Sequence, residues 1–167
     1  MSLNISVKST LNKGTCFSIT IPRGNAVKSN NQITNAKLQQ PSNEFTDLLV
    51  VLIDNEPLML TAMQAQLQEW GCNVIAAHNE DSLTRALLEQ NANPAIIISD
   101  YHLDDDKNGV DLVQKNSVKY QWNAPVIICS ADPSEHVREQ TSNAKFYFMR
   151  KPIKALALKK LMRQLLF

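Results

Sequence analysis

The chain has 167 residues, 44% of them apolar, 20% charged and 6% aromatic, with a formal net charge of +1. This is an ordinary globular composition with a mostly aliphatic core, and the near-neutral charge argues against a dedicated nucleic-acid binder. No apolar run approaches the roughly 20 residues of a membrane helix, and Met1 to Gly14 lacks the apolar centre of a signal peptide; Cys16, Cys72 and Cys129 show no metal-ligand spacing and suit free thiols in a reducing cytoplasm.

Charge divides the chain unevenly. Residues 1–46 carry five Lys and Arg against one acid, Glu44, net +4; residues 47–167 carry twelve against fifteen, net −3. Three segments follow in chain order. In the first, residues 1–22, Met1-Ser2-Leu3 reads as a cloning leader. Ile5 and Val7, then Phe17, Ile19 and Ile21, alternate with polar residues around Asn12-Lys13-Gly14. Period-two alternation about a Gly-containing turn predicts a β-hairpin with one apolar face. A lone hairpin is marginal in water, so this one is expected to belong to a larger sheet. Residues 23–46 are rich in Asn, Gln and Ser without apolar periodicity, and read as a flexible linker.

Residues 47–167 alternate short apolar runs with helical patterns. Leu48–Ile53 is the first strand. Met59, Ala62, Met63, Leu67 and Trp70 fall at helical spacing, and Gly71 is a natural stop. Asn73–Ala77 is the second strand, and Leu83, Ala86 and Leu87 mark a helix. Ala95–Ser99 is nearly all apolar, as a central parallel strand buried on both faces requires. Val110, Leu112, Val113 and Tyr120 mark the next helix, and Pro125–Cys129 is the fourth strand. Asp132-Pro133-Ser134-Glu135 supplies a cap, a first-turn Pro and an early Glu, predicting a helix start with Asp132 as N-cap. Phe146–Met149 is the fifth strand. Lys154 to Leu166 is an amphipathic helix with Ala157, Leu158, Leu161, Met162 and Leu165 on its apolar side. Five βα units predict an α/β fold, a doubly wound five-stranded parallel sheet. Ligands in such sheets bind at the carboxyl ends of the strands.

At those ends stand Asp54-Asn55-Glu56, Asp100, Ser130-Ala131 and Lys151-Pro152. Taken singly, each has a bland alternative: a loop acid or cap, a turn serine, a solvated lysine. Together they form one rim. Clustered carboxylates favour a hard divalent cation, and oxygen donors suit Mg²⁺. A lysine can counter phosphoryl charge, a hydroxyl can donate to a phosphoryl oxygen, and a carboxylate can form an acyl phosphate.

Val50-Val51-Leu52-Ile53-Asp54-Asn55-Glu56-Pro57, Ile97-Ile98-Ser99-Asp100-Tyr101-His102-Leu103, Ile128-Cys129-Ser130-Ala131 and Phe148-Met149-Arg150-Lys151-Pro152 resemble the four motifs of the response-regulator receiver domain. The resemblance implies the flavodoxin-like receiver fold over residues 47–167 and phosphorylation of Asp100. It implies Mg²⁺ held by Asp54, Asn55, Asp100 and the His102 backbone carbonyl, with Ser130 and Lys151 on the phosphoryl group. It further implies a cis Lys151–Pro152 bond, with Ser130 and Phe148 as switch residues. Three departures stand out. Asn55 replaces a second acid, which removes one charge and weakens Mg²⁺ binding. The loop after Asp100 is one residue longer and carries Asp104-Asp105-Asp106, read first as a solvated acidic turn; the alternative is that one of these acids replaces the missing charge. Ser130 stands where Thr is usual.

Asp100-Tyr101-His102-Leu103-Asp104 followed by Asn108-Gly109 resembles receivers attached to hybrid sensor histidine kinases. Ser9 to Pro22 is similar to the last hairpin of a histidine-kinase ATP-binding domain. The implied chain is a cytoplasmic C-terminal piece of a hybrid kinase, whose parent is itself open to membrane attachment. It lacks the ATP-binding motifs, and His78, His102 and His136 lack a phosphodonor context. Its implied partners are a histidine-kinase core or a histidine-phosphotransfer protein, with no nucleic acid and no membrane contact; homodimerisation stays open. Two rivals are weighed. A haloacid-dehalogenase-type phosphatase needs Asp-x-Asp after the first strand, which Asp54-Asn55-Glu56 does not supply. A receiver-like docking module that is never phosphorylated is opposed by the intact Asp100, Ser130 and Lys151 but kept open by Asn55.

Overall fold

A computed structural model describes residues 4–11, 13–20, 44–89, 93–104, 107–132 and 134–167. The predicted leader, the linker up to residue 43, Asn12, Ile21, Pro22, Asp105, Asp106 and Pro133 lie outside them. The chain forms two units, residues 1–36 and 37–167, so the division falls within the segment read as a linker.

In the first unit β1 (Asn4–Thr10) pairs antiparallel with β2 (Gly14–Thr20). The register sets Ile5 opposite Ile19 and Val7 opposite Phe17, so the alternating apolar residues share one face. The Lys13 N–H donates to the Thr10 carbonyl at 2.9 Å, and Gly14 takes φ +104°, a conformation a side chain would oppose.

The second unit is a parallel sheet in the order β4-β3-β5-β6-β7. Its strands are β3 (Leu49–Ile53), β4 (Asn73–Ala77), β5 (Ile96–Asp100), β6 (Val126–Ser130) and β7 (Tyr147–Arg150). Its helices are α1 (Pro57–Glu69), α2 (Glu80–Glu89), α3 (Gly109–Tyr120), α4 (Glu135–Asn143) and α5 (Ala155–Leu166). This is the predicted doubly wound fold. Alternate strand residues enter opposite cores. Val51, Ile53, Ile97 and Ile128 pack with Leu83, Val110, Val113 and Val137 of α2, α3 and α4. Val50, Leu52, Ile98 and Ile127 pack with Met63, Leu67, Leu158 and Met162 of α1 and α5. Full burial of each such side chain stabilises the fold by about 1.5–3 kcal/mol.

Local chemistry sets the helix ends. The Asn79 side chain accepts from the Ser82 N–H at 2.9 Å at the start of α2, and Asn108 does the same for Asp111 at 2.8 Å in α3. Gly71 ends α1 with φ +96°. Asp132 does not cap α4: it accepts from the Ser134 N–H at 2.8 Å in an Asx turn, and the helix begins at Glu135, with Ser134 in the N-cap position. The apolar stripes are also narrower than predicted. Ala62 and Ala157 are exposed, because a methyl at the edge of a stripe does not reach the sheet. Conversely Phe45, within the segment read as a linker, is fully buried against Trp70 and Phe167, its turn held by the Asp47 N–H donating to Gly71 at 3.1 Å.

Candidate functional site

The parallel ladder brings the rim together. Its register pairs Ile53 with Ser99, Asp100 with Cys129 and Ser130 with Arg150. Backbone bonds carry the order past the strands. Asp54 donates to Ala77 at 3.1 Å, Tyr101 to Cys129 at 2.8 Å and Lys151 to Ser130 at 2.8 Å. The chain thus delivers Asp54, Asp100, Ser130 and Lys151 to one edge of the sheet, with the Asp54 and Lys151 N–H groups already bonded to neighbouring strands.

Lys151 joins the two acids. Its Nζ lies 2.9 Å from Asp54 Oδ2 and 3.0 Å from Asp100 Oδ2. Asp54 and Asp100 are 2% and 8% exposed, and the Lys151 side chain only 15%. Two buried carboxylates therefore share one ammonium. Burial pushes the Asp100 carboxyl above the ordinary aspartate range; the Lys151 hydrogen bond and charge oppose this, and the Asp54 charge adds to it. Burial alone would lower the Lys151 ammonium, but the hydrogen bonds and charges of Asp54 and Asp100 together raise it. Asp54 is fixed at its other oxygen, where Oδ1 accepts from the Glu56 N–H at 2.9 Å.

The remaining predicted residues make contacts of their own. Ser130 is fully buried, and its Oγ accepts from the Asp132 N–H at 3.0 Å. Half-buried Asn55 donates through Nδ2 to Asp104 Oδ1 at 2.7 Å, so Asp104 is not simply a solvated turn acid. His102 exposes its ring, while its backbone forms an antiparallel bridge with Asn108. Phe148 is half-buried on β7 with the Arg138 guanidinium 5.4 Å from its ring centroid. The Lys151–Pro152 bond is cis.

Two supporting contacts are not visible in the motifs that contain Gly109 and Tyr101. A Cβ on Gly109 would lie 1.9 Å from the Asp100 carbonyl oxygen and 2.5 Å from Ser99 Oγ. Gly109 also donates to the Tyr101 carbonyl at 2.8 Å, so α3 begins directly against the backbone at Asp100. Asn108-Gly109 enters the sequence reading only through a resemblance, and the close approach exists only in three dimensions. Tyr101 is 5% exposed, and its hydroxyl donates to Gln140 of α4. An acid followed by an aromatic does not announce that partner.

The donor set fits Mg²⁺. Asp54, Asn55, Asp100 and the His102 carbonyl offer hard oxygens only, and two buried carboxylates exceed the charge of one ammonium. Among the described residues no three His, Cys, Asp or Glu side chains meet as a metal cluster. The amide and carbonyl oxygens, with water, would have to complete the shell.

The comparisons with known proteins agree with this architecture. The response regulator receiver domain family model matches residues 50–163. The chemotaxis protein CheY4 of Vibrio cholerae is 17% identical with a TM-score of 0.64, over 72% of this chain and 99% of that one. A receiver domain from Clostridium thermocellum is 19% identical with a TM-score of 0.61, over 71% and 94%. The receiver domain of the hybrid histidine kinase CckA is 20% identical with a TM-score of 0.58, over 71% and 99%. At these identities the likeness is one of fold. No curated protein matches the chain.

Proposed function

The chain belongs to the response regulator receiver family of two-component signalling, and from that premise we propose that Asp100 accepts a phosphoryl group from a phosphohistidine of a kinase core or a histidine-phosphotransfer protein. The observation that carries this reading is the Lys151 ammonium shared between Asp100 and Asp54 at 3.0 and 2.9 Å. A buried carboxylate beside a fixed positive charge supports the nucleophile role.

A carboxylate oxygen of Asp100 attacks phosphorus. The P–N bond to the donor imidazole breaks as the P–O bond forms, and the departing imidazole nitrogen takes up a proton. The product is an acyl phosphate on Asp100. Lys151 then faces more negative charge than before, and its side chain offsets charge on the phosphoryl oxygens in a site with little water to screen it. The Ser130 hydroxyl, fully buried at the end of β6, donates to a phosphoryl oxygen. Ser130 and half-buried Phe148 then rearrange as the switch. Asp54, Asn55, Asp100 and the His102 carbonyl would hold Mg²⁺, which when bound supplies charge neutralisation and orients the phosphoryl oxygens.

The chain works as the receiver module of a hybrid sensor histidine kinase. The β1–β2 hairpin register, with its alternating apolar face, supports this, as does the loop sequence around Asp100. Asn55 favours one alternative, a receiver-like module that only docks partners. Incubation with a small acyl phosphate and Mg²⁺ followed by intact-mass analysis separates the two. A gain of one phosphate, lost in Asp100→Ala, is expected; no gain at any Mg²⁺ concentration leaves the docking module.

A further inference from the structure

We infer that Asp104 is a positioning residue for Asn55: its carboxylate holds the NH₂ end of the amide and so commits the Oδ1 end to a cation. The inference rests on the proposed Mg²⁺-dependent phosphorylation of Asp100.

Asn55 follows buried Asp54 at the end of β3, and its Nδ2 donates to Asp104 Oδ1 at 2.7 Å, across 49 positions of sequence. An amide presents a donor end and an acceptor end, and only the acceptor end can bind a metal. A carboxylate can only accept, so Asp104 must take the NH₂ end. An Asn beside water alone rotates freely between the two orientations, and one of them points hydrogens at the cation. The backbone on either side is tied: Leu103 donates to the Lys107 carbonyl at 3.0 Å and Lys107 donates to the Asp104 carbonyl at 3.3 Å. Leu103 is buried, which anchors the residue before Asp104 to the core. The same contact returns a negative charge to within hydrogen-bond distance of the position where an acid is missing. Ligand-orienting partners of this kind typically carry about tenfold or more in metal affinity.

The role has a signature that a general acidic field lacks. An aspartate at position 55 needs no partner to choose its end, since both of its oxygens accept. Calorimetric Mg²⁺ titration of the full chain therefore compares Asp104→Ala in two backgrounds, native Asn55 and Asn55→Asp. With Asn55 present, Asp104→Ala is expected to raise the Kd about tenfold. In the Asn55→Asp background the same change is expected to shift it less than about twofold, because nothing is left to orient. Equal losses in both backgrounds would reduce Asp104 to a distant charge and overturn the inference, as would a native-background loss below about twofold. If circular dichroism shows Asp104→Ala unfolded, Asp104→Leu, which is close in shape but offers no acceptor, is titrated in both backgrounds under the same criteria. Absence of both Mg²⁺ binding and Asp100 phosphorylation in the native chain would overturn the phosphoacceptor reading as well. Normal binding and phosphorylation with a silent Asp104→Ala would overturn this inference alone.

Discussion

Replacing Lys151 by Met tests whether charge, rather than packing, holds the rim together. Methionine keeps most of the aliphatic stem and removes the ammonium from between two carboxylates at 2.9 and 3.0 Å. Each contact corresponds to about 5–6 kcal/mol of Coulomb attraction at an effective dielectric near 20. Desolvation of the ammonium and repulsion between Asp54 and Asp100 cancel much of this. Breaking a buried pair from one side costs about 3–5 kcal/mol, and the 15% exposure of the Lys151 side chain places this site near the lower end. A loss of about 3 kcal/mol near pH 7 is therefore expected. The loss should shrink with acid. Asp100 already has a raised carboxyl, and without Lys151 it protonates more readily still, which removes the uncompensated charge. Near pH 4 the difference from the native chain should fall to about 1 kcal/mol, the worth of an ordinary hydrogen bond. Urea unfolding at both pH values measures this. A cost that is the same at both would show that the Lys151 stem, not its charge, carries the effect, and a cost below about 0.5 kcal/mol near pH 7 would refute the electrostatic account outright.

Asp100→Asn should stabilise the chain near neutral pH by roughly 0.5–2 kcal/mol, as is common where a site trades stability for function. The sign follows from the raised Asp100 carboxyl. Its contribution is fully present below the unfolded value of 3.8 and is lost as pH rises through the higher folded value, so ionised Asp100 destabilises the fold and the neutral amide does not. Thermal melts should show the gain at pH 7 and its disappearance in acid; an equal gain at all pH values contradicts this. Gly109→Ala should cost about 1–3 kcal/mol or more, because the new methyl would sit 1.9 Å from a backbone oxygen that cannot rotate aside. It should also slow acyl-phosphate labelling of Asp100. Unchanged urea midpoint and labelling rate would show that α3 can retreat without moving Asp100.

The sheet was legible in the chain because its causes are local. Five runs of β-type residues, each followed by a helical apolar pattern, leave few arrangements that bury both faces of every central strand. The acidic, hydroxyl and lysine positions were legible for the same reason, since strand ends in such a sheet share one rim. Boundaries slipped where the cause was not local. Asp132 and Ser134 are both good caps, and backbone geometry, not composition, decided that α4 starts at Glu135. Phe45 sits in polar, aperiodic sequence, and only the pocket between Trp70 and Phe167 makes it a core residue.

By itself, then, the sequence determined which residues line the rim: Asp54, Asp100, Ser130 and Lys151. Tertiary structure alone decided how they meet. Lys151 reaches Asp54 across 97 positions, and Asp104 reaches Asn55 across 49. Gly109 earns its place only because a helix start is pressed against the Asp100 carbonyl. Periodicity reports which face a side chain takes; distance between segments remote in the chain is set by how the layers pack, and the chemistry of Asp100 depends on that distance.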